Sequence, residues 1–222
     1  MPDSLTPGLA APTVLGDEDA RALVASYARP GPVAVAKNIG RIDPHLRRYI
    51  EMSPFCCVAT ADVEGRQDVT PRGDPPGSFK VFGEHTIAIP DRPGNNRLDT
   101  LKNLLANPQI GLIFLLPGMD ETVRVNGTAR LSTDPDLLES MAVQGKAPKC
   151  AIVVQVREAY LHCAKAFRRS KLWDASTRID RHTLPSLAGM IRDQVGLSEE
   201  ATKEAEARIE KAYRESLWAP MS

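Results

Sequence analysis

The chain has 222 residues, 42% of them hydrophobic and 25% charged, which suits one globular domain or one domain with added helices. Lys plus Arg and Asp plus Glu number 28 each, so no net field draws it to nucleic acid or an acidic membrane, and any anion site must be a local cluster. Cys56, Cys57, Cys150 and Cys163 form no Cys-x-x-Cys pair, which argues against zinc and thioredoxin-type chemistry and for buried, reduced thiols in a cytoplasmic protein.

Residues 1–16 read as a flexible arm. Met1 to Thr13 holds three prolines and no long apolar run, so it is expected to be neither a signal peptide nor a membrane anchor. Asp17 to Tyr27 suits a short helix, broken by Arg29-Pro30-Gly31-Pro32. Asp43 is a good N-cap with Pro44 at the first helical position. Leu46, Tyr49 and Ile50 give that helix its apolar face, and Ser53-Pro54 ends it. Phe55 to Thr60 reads as a buried strand on which Cys56 and Cys57 face opposite ways. After a turn at Glu64-Gly65, Gln67 to Pro71 starts a second strand. Phe79 to Phe82 and Thr86 to Ile89 are two more, around the Gly83-Glu84 turn.

The run Asp91 to Asn95 is expected to be irregular. Asn96 to Ala106 has leucines at helical spacing and stops at Asn107-Pro108. Ile110 to Leu116 and Thr122 to Leu131 read as strands. A short helix capped by Asp134-Pro135 reaches Met141, and Ala151 to Val156 gives the last strand. From Ser198 to about Trp218 the pattern is helical, with Glu199–Lys203, Glu204–Arg208 and Glu210–Arg214 four apart. Its thin apolar stripe needs a partner subunit or the barrel flank to pack on. Six or seven short strands without strand–helix alternation predict a mainly antiparallel barrel with peripheral helices, and no G-x-G-x-x-G supports a Rossmann fold.

Three stretches can carry chemistry. Arg72 at a strand end and Asn96-Arg97 opening a helix could supply a guanidinium fork and free backbone N–H groups to a phosphate; ordinary surface ion pairs are the plain alternative. Alternation places Arg124 and Asn126 on the exposed face of their strand, able to bond a heteroaromatic edge or a phosphate, or simply to meet solvent. His162-Cys163 has no metal-spaced companions, so both read as structural. The basic run Lys165 to Lys171 is a solvated face or an anion-facing rim, and Trp173 reads as packing. No G-x-S-x-G, P-loop or H-E-x-x-H occurs.

In order, Phe55–Ala61, Thr70-Pro71-Arg72-Gly73-Asp74-Pro75-Pro76-Gly77, Ile87 to Arg97, Ile110–Leu115, Glu121–Gly127 and Leu161-His162-Cys163-Ala164-Lys165 resemble the FMN-binding split-barrel proteins related to pyridoxamine 5'-phosphate oxidase. The resemblance covers about residues 40–175. It implies a mainly β, antiparallel split β-barrel at 41–175, with an arm and short helix at 1–40 and a C-terminal helical extension at 176–222. It also implies a homodimer with FMN at the subunit interface. On that basis Arg72, Asn96, Arg97 and Thr100 surround the phosphate, Ile89, Pro90 and Asp91 run along the flavin ring, and a backbone N–H around Pro71–Gly73 or Ile89–Asp91 faces the flavin N5. Arg124 and Asn126 contact the cofactor from across the barrel, with Lys165 and Trp173 further on. The tail Arg178-Ile179-Asp180-Arg181-His182 departs from the oxidase's Arg-x-His substrate element, so the vitamin substrate does not carry over. The expected activity is that of an FMN-dependent oxidoreductase using a small molecule or an electron donor such as NAD(P)H. The alternative is a non-catalytic flavin- or haem-binding storage module. A nucleic-acid role through Lys165–Lys171 is the weakest reading, and no membrane partner is expected.

Overall fold

The computed structural model describes residues 13–218, so most of the expected N-terminal arm lies outside the described residues. The described chain divides into two compact units, one ending at Ala36 and one beginning at Lys37. The first holds helices α1 (Asp17–Ser26) and α2 (Pro32–Ala36), neither with a buried residue. No helix among the described residues is long and apolar enough to cross a membrane.

The second unit is built on seven antiparallel strands in one sheet, β1 (Phe55–Ala61), β2 (Gln67–Gly73), β3 (Lys80–Phe82), β4 (Thr86–Asp91), β5 (Gln109–Leu115), β6 (Thr122–Ser132) and β7 (Cys150–His162). Their order is β2-β1-β5-β6-β7-β4-β3. Helices α3 (Pro44–Met52), α4 (Asp99–Ala106), α5 (Pro135–Ser140) and α6 (Lys165–Ser170) lie around it, and α7 (Leu187–Val195) and α8 (Glu199–Glu215) follow. The sheet curls around a core that includes Ile50, Val58, Ile87, Ile89, Phe114, Val125, Ile152 and Val154. No ladder joins β2 to β4 among the described residues; Arg72 of β2 and Asp91 of β4 meet there at 3.6 Å instead. The fold is therefore a mainly β, antiparallel split barrel with peripheral helices, as the strand pattern predicts.

Local chemistry explains most elements. The Asp43 carboxylate accepts from the Leu46 N–H at 2.8 Å, and Pro44 opens α3, which buries Leu46, Tyr49 and Ile50. The Tyr49 hydroxyl donates to the Glu121 carbonyl at 2.7 Å and accepts from the Leu116 N–H at 3.1 Å, tying α3 to the β5–β6 connection. Ser198 caps α8 as expected. The predicted Glu–basic pairs on that helix do not come within ion-pair distance; among the described residues the α8 pair that does is Lys211–Glu215 at 3.9 Å. Exposed pairs of this kind are held only loosely. Helix α7 was not anticipated, and α8 packs against it, with Ser186 hydrogen-bonded to Glu206.

Two elements differ from expectation in ways that matter for the site. Helix α4 starts at Asp99, not Asn96, because Asn96 and Leu98 take left-handed φ angles of 59° and 61° and cannot be helical. Strand β7 continues to His162 instead of stopping at Val156. Asn126 pairs with Glu158 but Gly127 with Val156, so Arg157 is an extra residue, a β-bulge. The bulge reverses the phase of alternation: Ile152, Val154 and Val156 are buried before it, and Ala159 after it. A single period-2 reading therefore ends at Val156.

Candidate functional site

Residues directly opposite across a ladder point to the same face. On β1, Cys56, Val58 and Thr60 are buried; their partners on β2 are Arg72, Thr70 and Asp68. These three polar side chains therefore line the inner face of an edge strand, at the split. The first turn of α4 closes this end. Arg72 donates through Nη1 to Thr70 Oγ1 and the Pro71 carbonyl, both at 3.0 Å, and through Nη2 to Thr100 Oγ1 at 3.3 Å. Thr100 in turn donates to Asp68 Oδ2 at 3.2 Å, and Asn103 donates to Thr60 Oγ1 at 3.1 Å, fixing α4 against β1.

Arg72 keeps unused capacity. Asp91 makes a 3.6 Å ion pair with it but no hydrogen bond, and Arg72 Nε is buried without a partner. Burial pushes the Asp91 carboxyl up, against the pull of Arg72. The α4 N-cap is Leu98, whose side chain caps nothing, so the first-turn N–H groups have no side-chain acceptor. Arg97 is 74% exposed in its side chain and pairs with Asp99 at 2.7 Å. A buried donor without a partner, an uncapped helix start and an exposed guanidinium at one spot fit a phosphate. The Asp68 and Asp91 carboxylates stand beside them, so the ligand's anion would compete with these groups for Arg72.

The other sequence candidates lie elsewhere. Gly73 ends β2, exposed. Ile89 is core and Pro90 is buried, so of this strand end only the Asp91 side chain reaches the split. Arg124 and Asn126 sit on the outer sheet face, through the register Cys57↔Ile113↔Arg124↔Tyr160. There the Arg124 guanidinium lies 5.4 Å from the Tyr160 ring centre, with Lys37 at 5.8 Å. Asn126 donates to Glu158 at 2.9 Å; hydrogen bonds from Asn126 and Asn38 hold that carboxylate below its usual range. Lys165 is exposed at the start of α6. Trp173 donates to the Met119 carbonyl at 2.8 Å and packs against Phe167, so these two lie at the entry to β6. In the chain Arg72, Thr100 and Asp91 come together with Arg97 near Asp68 beside them, whereas Arg124 and Asn126 face away on the opposite side of the sheet.

The sequence reading missed Asp68 and Thr70 as site residues, although they alternate with Arg72 on one strand. It also missed Tyr160, Lys37 and Glu158, hidden by the change of phase at Arg157. His162 lies beside Arg124 and Lys37; burial first, then these two charges, push its imidazole pKa below the ordinary 6.5. Between the ordinary and the lowered value the unfolded chain binds a proton that the folded chain refuses. The contribution of His162 to stability is therefore complete above 6.5 and lost as the pH falls through that window. Calorimetric melting of His162→Gln should show a shallower loss of Tm on acidification below that pH than the parent; parallel curves would contradict the placement.

The thiols differ sharply. Burial pushes Cys56 up to about 12, with Arg72 opposing, while Cys163 is exposed. Iodoacetamide near pH 8 should label Cys163 first and Cys56 only after unfolding, read by mass spectrometry. Early labelling of Cys56 would contradict its burial. Among the described residues no group of three or more His, Cys, Asp or Glu is arranged to hold a metal ion.

The family model described as pyridoxamine 5'-phosphate oxidase matches residues 42–163, more than half of the chain and the whole span from α3 to the end of β7. The chain belongs to the pyridoxamine 5'-phosphate oxidase family. Among solved structures it is similar to HupZ of Group A Streptococcus, at 19% identity over 54% of this chain and 93% of that one, with a TM-score of 0.44. It is also similar to an FMN-binding protein of Syntrophomonas wolfei subsp. wolfei, at 15% identity over 52% and 79%, TM-score 0.40. The heme storage protein HutZ of Vibrio cholerae matches at 13% identity over 55% and 94%, TM-score 0.37. No curated protein matches the chain. In this family member, the matched span contains the split and both faces of the sheet described above.

Proposed function

We propose that this family member binds FMN in a cleft completed by a second copy of the chain and uses it as an oxidoreductase on a small molecule. The observation that carries this reading is Arg72 at the split, its buried Nε without a partner and its fork turned toward Thr100 and the uncapped start of α4. Arg72, Arg97 and Thr100 would hold the phosphate, with Asp91 along the ring. Bound FMN supplies hydride and electron transfer by its own chemistry, so the chain's part is to bind and orient it.

The two-sided placement supports a homodimer. Arg124 and Asn126 can reach a ligand held at the split only if they come from another subunit. The outer face beside them is apolar or small (Cys57, Ala59, Gly111, Ile113, and the exposed Phe55 and Val69), the kind of surface a partner covers.

The visible spectrum of the purified protein tests the cofactor. Flavin bands, or quenching of added FMN fluorescence, support the reading; a colourless protein that leaves FMN fluorescence unchanged overturns it, and a Soret band instead would favour haem storage. Bleaching of the flavin by NADH or NADPH in stopped flow would identify a donor. Arg97→Ala touches only an exposed side chain, so the fold should persist while FMN affinity falls by roughly tenfold, as loss of a charge-assisted bond does. Unchanged affinity would remove Arg97 from the phosphate site. Light scattering should give twice the chain mass of 24.2 kDa.

A further inference from the structure

Arg92, the first residue after β4, is the most fully engaged guanidinium in the molecule. Its side chain is 9% exposed. Nε donates to Asp74 Oδ1 at 2.9 Å, Nη1 to the Lys146 carbonyl at 3.1 Å and Nη2 to the Met141 carbonyl at 2.7 Å. Each of the three guanidinium nitrogens thus has an acceptor, and one face is covered by the Trp218 ring, whose centre lies 5.5 Å from Cζ. Trp218 stands just beyond the end of α8 and far from Arg92 in sequence.

The loop that starts at Arg92 runs through Pro93 and Gly94 to Asn96, Arg97 and Leu98 and enters α4. Its far end is fixed by Thr100 and Asn103 of α4, which bond β2 and β1 residues. Its near end is fixed by Arg92. Between them, Asn96 and Leu98 hold left-handed conformations, which asparagine tolerates but leucine does not favour, and an unrestrained loop would relax Leu98. The geometry of Arg97 and of the uncapped helix start therefore depends on both ends being held.

We infer that Trp218 is a positioning residue for the anion-binding loop: by covering the Arg92 guanidinium it keeps water from the Arg92–Asp74 pair and fixes the near end of residues 92–98. The α7–α8 extension thereby serves the split and does more than pack on its own helices. A cation held over an indole face is stabilised more strongly as it is desolvated, and Arg92 is nearly buried. The link to FMN rests on the function proposed above; the link to the loop does not.

The experiment compares the full chain with Trp218→Ala, Trp218→Phe and, as a control in the last turns of α8, Tyr213→Ala, whose side chain is exposed. Hydrogen exchange by mass spectrometry reads the amides of residues 92–98 without any ligand, and fluorescence titration reads FMN. Faster exchange across 92–98 in Trp218→Ala, restored by Trp218→Phe and absent in Tyr213→Ala, is expected. FMN affinity should fall by about two- to thirtyfold in the alanine variant and recover with phenylalanine, which keeps an aromatic face over the cation. Unchanged exchange in the loop overturns the inference. Faster exchange with unchanged FMN affinity overturns its link to the cofactor. A parent protein that binds no FMN overturns the proposed function alone, because the exchange measurement still decides the role of Trp218.

Discussion

Replacing Gly127 with alanine is expected to lower the unfolding free energy by about 3 kcal/mol, the upper end of what overpacking usually costs. A Cβ at this position would overlap the Gln155 carbonyl oxygen and approach its carbonyl carbon to 3.0 Å. Both atoms belong to the backbone of the neighbouring strand, so no side chain can swing aside. The close approach is produced by the bulge at Arg157, which brings β7 against β6 where Gly127 pairs with Val156. Relief would require moving the ladder that carries Arg124 and Asn126 on one side and core residues on the other. Urea unfolding of the two proteins, with equal slopes, would measure the difference. A change below about 1 kcal/mol would show that the strands do not approach as closely as described.

Arg92→Ala should have an effect of similar or greater size. The side chains of Arg92 and Asp74 are 9% and 2% exposed, so removing the arginine leaves a carboxylate buried without its counter-charge. Breaking such a pair by deleting one partner costs about 3–5 kcal/mol. The Met141 carbonyl loses its Arg92 donor at the same time, and the Lys146 carbonyl keeps only the Val143 N–H. The pH dependence gives a second check. Burial already raises the Asp74 pKa, with Arg92 opposing, so deleting Arg92 should raise it further. A carboxyl whose folded pKa lies above its unfolded value binds its proton more readily when folded. The defect of Arg92→Ala should therefore be largest near neutral pH and shrink as the pH falls through the raised pKa. Asp74→Asn in the same background should recover part of the loss at neutral pH. A defect that grows on acidification would contradict the assignment of Asp74 as its source.

Much of this architecture is legible in the chain itself. Asp43-Pro44 marks the start of α3 and Ser198 that of α8, because caps are local events that depend on a few adjacent residues. The strands up to β6 follow from alternation and turn residues. The start of α4 was not legible, because leucine spacing persists through Leu98 while the backbone there is left-handed. The second half of β7 was not legible because one inserted residue inverts which positions are buried. The site was legible only in part. Arg72 and Thr100 do share a location, yet the placement of Arg124 on the opposite face follows from sheet register, which no local pattern encodes. The Arg92–Asp74 pair was not legible, since nothing in its spacing says that both side chains are buried.

The inversion at Arg157 has a consequence for how the chain tolerates change in length. Upstream of it, β7 is wall; downstream, the same strand displays Glu158, Tyr160 and His162 on the outside. Losing that one residue would send an aromatic ring and two ionisable groups into oil and bring Ala159 out to water, so the count of residues in this strand is constrained as tightly as their identity.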